Sequence, residues 1–185
     1  MYSTMQNWPL TITAILRHAC GVNGDRVVTT ATGQGGAEGA ATSGLGHRST
    51  TYREIGEQAA RLAHALRGLG ITGDQRVATF QWNNAEHLTA YLAAPAMGAV
   101  LHTLNIRLSP EQIAFIANEA EDQVIIVDAS LVPLLAPVVP QLTTVHTVIV
   151  VGDADTGALS GPTVLSYDEL LAGQPAVFDW PELDE

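Results

Sequence analysis

TTYREIGEQAARLAHALRGLGITGDQRVATFQWNNAEHL, residues 50–88, holds one complete helix–strand–helix passage. Thr51 and Glu54 stand at the spacing of a capping box. Ile55, Ala59, Leu62, Leu66 and Leu69 then recur at alternating steps of four and three, the apolar stripe of a helix packed on one side. Gly70 can take the left-handed backbone that ends such a helix. Past the Gly73-Asp74 turn, Arg76 to Phe80 reads as a buried strand. Asn84 then caps a second helix through Leu88, Tyr91 and Leu92, which Pro95 kinks or ends.

The same alternation continues toward the carboxyl end. AVLHTL, residues 99–104, is a strand, and Ser109-Pro110-Glu111-Gln112 opens a helix with a cap, a first-turn proline and a glutamine at the third helical position. Val124 to Val127 is a short apolar strand. Leu131 to Leu142 has helical apolar spacing interrupted by Pro133, Pro137 and Pro140, and Val145 to Val151 is the last strong strand. Short apolar strands alternating with amphipathic helices imply right-handed crossovers. The expected fold is therefore α/β, a doubly wound, mostly parallel sheet with helices on both faces.

Toward the amino end, Ile12, Ile15, Leu16 and Ala19 keep near-helical spacing within 11–21, and Asn23-Gly24-Asp25 turns the chain into a short strand, Arg26 to Thr30. GQGGAEGAATSGLG, residues 33–46, suits a lengthened hairpin loop. After Val151 the sequence loosens through GDADTGALSGPT, offers a short helix at Tyr167 to Ala172 and closes on DWPELDE, an ending that reads as an interdomain connection. The chain is thus expected to divide into residues 1–50 (helix and hairpin), 51–151 (the α/β subdomain) and 152–185 (a loosely structured connection).

Composition narrows the function. The formal charge of -11 argues against nucleic acid or an anionic membrane surface as partner, because phosphate contacts need clustered basic side chains. All eight basic residues are arginine. Without lysine there is no P-loop of the ordinary kind and no amine nucleophile. A dinucleotide fingerprint also fails, since Glu38 follows Gly33 and Gly35 where the third glycine belongs. No G-x-S-x-G elbow occurs. Cys20 stands alone, which fits a reducing compartment and a small buried apolar role. The six histidines never fall four apart, so no metal site is expected. The amino terminus has no secretory pattern, and no run reaches the ~18 to 20 apolar residues of a spanning helix. These features imply a cytoplasmic protein with no transmembrane segment.

Four pieces carry a resemblance: the stretch 50–88, AYLAAPAMGAVLHTLNIRLSPEQIAFI at 90–116, NEAEDQVIIVD at 118–128, and STM at 3–5. Together they resemble the amino-terminal domain of medium- and long-chain fatty acyl-CoA synthetases, in the superfamily that also holds luciferases and peptide-synthetase adenylation domains. GAVLHTLNIRLSPEQIAFI, residues 98–116, is specific to the fatty-acid branch. The resemblance implies a ligase that uses fatty acid, ATP with Mg2+, and coenzyme A. The acid's carboxylate attacks the α-phosphate to give acyl-adenylate and pyrophosphate, and the acyl group then passes to the thiol of coenzyme A. The first step concentrates charge at phosphorus and calls for a Gly/Ser/Thr-rich loop, magnesium and a lysine. In the family those parts lie beyond the position matching Glu185. The chain is accordingly expected to be an amino-terminal fragment, inactive alone and able to form a homodimer. A non-catalytic binding or dimerisation module with the same fold is the alternative.

The candidate substrate- and CoA-side residues are Trp82, Asn83, His102, Asn105 and Arg107. Trp82 and Asn83 follow a strand's carboxyl end, where ligands of open α/β sheets collect, although Trp82 is equally suited to packing. The resemblance places the loop Asn105, Ile106 and Arg107 on the side where coenzyme A enters. Arg107 can pair with a nucleotide phosphate or stand simply as an exposed arginine. His102 lies in an apolar strand, where a hydrogen-bonded core histidine is the common case. No residue is assigned a catalytic role.

Overall fold

The computed structural model describes residues 9–32 and 46–184. STM and all of the glycine-rich segment except Gly46 lie outside the described residues. Helix α1 spans Ile12–Asn23, with the Thr11 hydroxyl accepting from the Ala14 amide at its start. Strands β1 (Val27–Ala31) and β2 (His47–Thr51) pair antiparallel, from Val27 opposite Thr51 to Ala31 opposite His47. The two strands that flank the glycine-rich stretch therefore do form a hairpin pair.

Helix α2 (Tyr52–Gly68) opens on the expected capping box. The Thr51 hydroxyl accepts from the Glu54 amide, and the Glu54 carboxylate accepts from the Thr51 amide at 2.7 Å. The Thr51 hydroxyl also donates to that carboxylate at 2.8 Å, and these two donors hold Glu54 below the usual carboxylate range, the backbone amide contributing most. Ile55, Ala59, Leu62 and Leu66 are buried, and Gly70 takes φ 93° just past the end. Strand β3 (Arg76–Phe80) and helix α3 (Ala85–Ala96) follow, the latter capped by Asn84. Pro95 sits in the last turn of α3, and the helix stops one residue beyond it. Strand β4 (Val100–Thr103), helix α4 (Pro110–Glu119) with a Ser109/Gln112 capping box, and strand β5 (Asp122–Asp128) continue the alternation. The three prolines of 131–142 reduce that segment to 3-10 turns and one short helix, α5 (Val132–Leu135). Its apolar side chains Leu131, Leu135 and Val138 are nonetheless buried.

Strand β6 (Thr147–Val151) is not the last. Residues Thr163–Ser166 form β7, which pairs parallel with β6 from Thr147 opposite Thr163 to Val150 opposite Ser166, before helix α6 (Tyr167–Leu171). The sequence reading treats this segment as loose connection because TVLS is short and runs on from the glycine-, serine- and proline-containing stretch GDADTGALSGPT, and in the structure it is only partly buried. An edge strand this short is defined by its neighbour's hydrogen bonds more than by its own pattern.

The sheet is five-stranded and parallel, in the order β4-β3-β5-β6-β7. Alternate residues of β3 and β5 supply two cores. Val77, Val124 and Ile126 face α1, α2, α3 and α6. Ala78, Phe80, Ile125 and Val127 face α4, α5 and the proline-rich turns. Burial on both sides explains why β5 reads as an unbroken apolar run. The order also fixes where a crevice opens. The chain leaves β3 for β4 on one side and leaves β5 for β6 on the other, so the carboxyl ends of β3 and β5 form the topological switch point.

Candidate functional site

Asp128, the last residue of β5, is the hub of that switch point. Its carboxylate accepts from the Trp82 amide at 2.6 Å, from the Asn84 side-chain amide at 3.0 and 3.1 Å, and from the Gln81 side-chain amide at 3.4 Å. Two residues on, the Ser130 hydroxyl accepts from the Trp82 indole at 3.1 Å. The side of the segment toward α3 is tied by His87. One ring nitrogen, Nδ1, lies 3.1 Å from the Trp82 carbonyl and the other, Nε2, 3.0 Å from the Thr79 hydroxyl. A carbonyl only accepts, so Nδ1 carries the proton and the neutral ring accepts the Thr79 hydroxyl at Nε2. Burial holds this imidazole below its usual pKa, outweighing the Trp82 carbonyl and the nearby Asp128 charge.

Asn84 serves two elements, since its side-chain oxygen accepts from the His87 amide while its nitrogen donates to Asp128. The Ala85 amide donates to the Thr30 hydroxyl, which ties the hairpin to the same corner. The Trp82–Asn84 segment is thereby held by β5, α3 and β1 together.

Among the sequence-derived candidates, Trp82 and Asn83 are exposed at this rim, Trp82 to 49%. Asn83 borders a groove of about 340 Å3 with Val28, Thr30, Leu88 and Tyr91. Asn105 and Arg107 follow β4 on the same carboxyl edge, beside β3. The Arg107 amide donates to the Asn105 side chain at 3.0 Å, a local turn that leaves both side chains exposed. The Arg107 guanidinium enters none of the ion pairs among the described residues.

His102 is not brought to this rim. It stands opposite Ala78 in mid-strand, and its Nδ1 lies 2.9 Å from both carboxylate oxygens of Asp122 at the start of β5. Asp122 is fully buried, and burial pushes its carboxyl up while His102 draws it down.

Asp128, Gln81 and His87 were not singled out by sequence reasoning. The one available signal was a carboxylate closing the apolar run VIIVD. A second pocket of about 440 Å3 lies between α2, α3 and α6, crossed by the Arg48–Glu86 ion pair at 2.7 Å. Burial there raises the Tyr167 phenol well above the ordinary tyrosine range, helped by Glu86 and Asp168.

The rim presents an exposed indole, two asparagines and an arginine. The donors that occupy both oxygens of the Asp128 carboxylate leave it poorly disposed to bind a cation. No three His, Cys, Asp or Glu side chains among the described residues form a metal-binding group. The described residues do not fit a magnesium–nucleotide site. No described helix is long and apolar enough to cross a membrane.

The AMP-binding enzyme family model matches residues 17–177. The chain is 37% identical, over 186 aligned positions covering 100% of its length and 33% of the relative's, to the 3-methylmercaptopropionyl-CoA ligase of Ruegeria pomeroyi. It is 45% identical over 136 positions, 74% of its length and 24% of the relative's, to the long-chain-fatty-acid–CoA ligase of Thermus thermophilus. The crystal structure of the anthranilate CoA ligase AuaEII with anthranoyl-AMP superposes with a TM-score of 0.77, covering 98% of this chain and 31% of that one at 20% identity, a likeness of fold. The chain thus spans about a third or less of the length of these relatives.

Proposed function

The chain belongs to the AMP-binding enzyme family, and from that premise we propose that it is the amino-terminal portion of an AMP-forming fatty acid:CoA ligase. The observation that carries this is the 37% identity running through the full length of the chain to an acid:CoA ligase. The choice of fatty acid as substrate is supported by residues 98–116 and by the 45% identity to a long-chain ligase.

In this reading fatty acid, ATP and coenzyme A are the substrates, with Mg2+ assisting. Phosphate chemistry falls to the part of the relatives' length that this chain does not span. The chain's own contribution is the carboxyl rim. Trp82 and Asn83 offer a flat indole and an amide at the switch point, and Asn105 and Arg107 offer a polar, cationic loop toward the phosphates of coenzyme A.

Two assays on the 185-residue chain test this. Acid-dependent ATP–pyrophosphate exchange is expected to be absent, since no lysine is present to stabilise the charge at phosphorus. Robust exchange in a pure preparation would overturn that assignment. Coenzyme A titrated into the 15N-labelled chain is expected to shift the amides of 82–84 and 105–107, and shifts confined elsewhere would remove the rim from the substrate site.

A further inference from the structure

Asp128 is 6% exposed, yet no arginine or protonated histidine pairs with its carboxylate among the described residues. Its hydrogen-bond partners are donors from three of the four positions 81–84: the Gln81 side chain, the Trp82 backbone and the Asn84 side chain. A buried carboxylate compensated by neutral donors alone is an expensive way to join two loops. What it gives in return is geometry, because charge-assisted bonds are short and directional. Ser130 extends the hold from the backbone of Trp82 to its indole.

We propose that Asp128 is a positioning residue that fixes the Trp82–Asn84 segment in the shape presented at the carboxyl rim. The assignment rests on the reading of that rim as the ligand-facing edge. An ordinary core-stabilising residue would raise the stability of β5 as a whole. Asp128 instead directs its bonds across the switch point to a segment that already has its own anchor on α3 through His87. Two anchors on opposite sides hold the Trp82 backbone, and the indole is bridged to Ser130 in the turn just past β5.

The substitution that isolates this is Asp128→Asn. An amide of nearly the same shape has one accepting oxygen and no charge, so its NH2 group faces either the Trp82 amide or the side chains of Gln81 and Asn84, and whichever bonds remain lose their charge assistance. Exchange of the Trp82 amide and indole protons in the 185-residue chain is expected to rise roughly tenfold or more beyond any change at the core amides of 124–127. Equal acceleration at Trp82 and at the core would make Asp128 a general stabiliser and overturn the proposal. Should Asp128→Asn fail to fold, the unsubstituted chain still decides: a Trp82 amide that exchanges as fast as the amide of exposed Asn83 sinks the idea, and strong relative protection supports it. The coenzyme A titration separates this from the functional reading. An absence of ligand shifts at 82–84 with strong Asp128-dependent protection would discard the ligand-facing role of the rim and leave the positioning itself standing.

Discussion

His87 carries the pH dependence of the rim. Its ordinary pKa is 6.5 and burial lowers it in the folded chain, so the unfolded chain takes up the proton first as pH falls. Stability therefore declines once pH drops below about 6.5 and goes on declining until the folded imidazole is itself protonated. His87→Gln removes the group, and its urea midpoint is expected to fall less steeply than that of the natural chain between about pH 7 and pH 5. Parallel curves would mean that His87 takes a proton as readily folded as unfolded. Arg107 is the complementary case, a charge with exposed surroundings and no ion pair among the described residues. Arg107→Ala is expected to change the unfolding free energy by no more than about 0.5 kcal/mol. The same substitution should weaken coenzyme A binding and lessen its dependence on salt.

The elements are fastened chiefly at their starts. Thr51, Asn84 and Ser109 each accept from the amide of the third residue of their helices. Thr51→Ala is expected to lower stability by about 1 kcal/mol, read from chemical denaturation. Asn84→Ala should lower it further, by about 2 kcal/mol, because the same side chain also satisfies the buried Asp128 carboxylate. Equal losses would show that the bond to Asp128 adds nothing to the cap. Another fastening is Arg67, near the end of α2. Its guanidinium donates to the carbonyls of Thr72 and Met97 and lies 5.9 Å from the centre of the Phe178 ring. It thereby ties α2 to the turn before β3, to the end of α3 and to the chain after α6. His64 adds a hydrogen bond to the Val177 carbonyl at 2.9 Å. A carboxyl-terminal segment that composition marks as a loose connector is therefore packed, with the rings of Phe178 and Trp180 in tilted contact, centroids 4.8 Å apart, against the first core.

At the scale of the whole molecule, two hydrophobic cores share one sheet. Leu62 lies fully buried in the first and Leu135 in the second, on opposite faces. Leu62→Ala and Leu135→Ala are each expected to lower stability by about 3 kcal/mol, and the double substitution by the sum within about 0.5 kcal/mol. Because β3, β5 and β6 contribute to both cores, the two layers should still melt in one transition. Separate transitions for the two variants would show that the layers fold as independent units.

The strands and helices from Thr51 to Val151 were legible in the chain because each signal is local. A capping box, a stripe at steps of four and three, or an apolar run between turns depends on neighbours within a few positions. Trp82 and Asn83 could be placed at a strand end for the same reason. Sequence also determined the family resemblance and, through the absence of lysine, what the chain lacks for chemistry at phosphorus. Only the tertiary structure decided the rest. Strand β7 exists as a strand because β6 lies beside it, and His102 turns to Asp122 because β5 starts within its reach. Asp128 meets Asn84 across 44 positions of chain because the sheet order sets β5 next to β3. Those pairings rest on strand order and side-chain direction, which no window of neighbouring residues records.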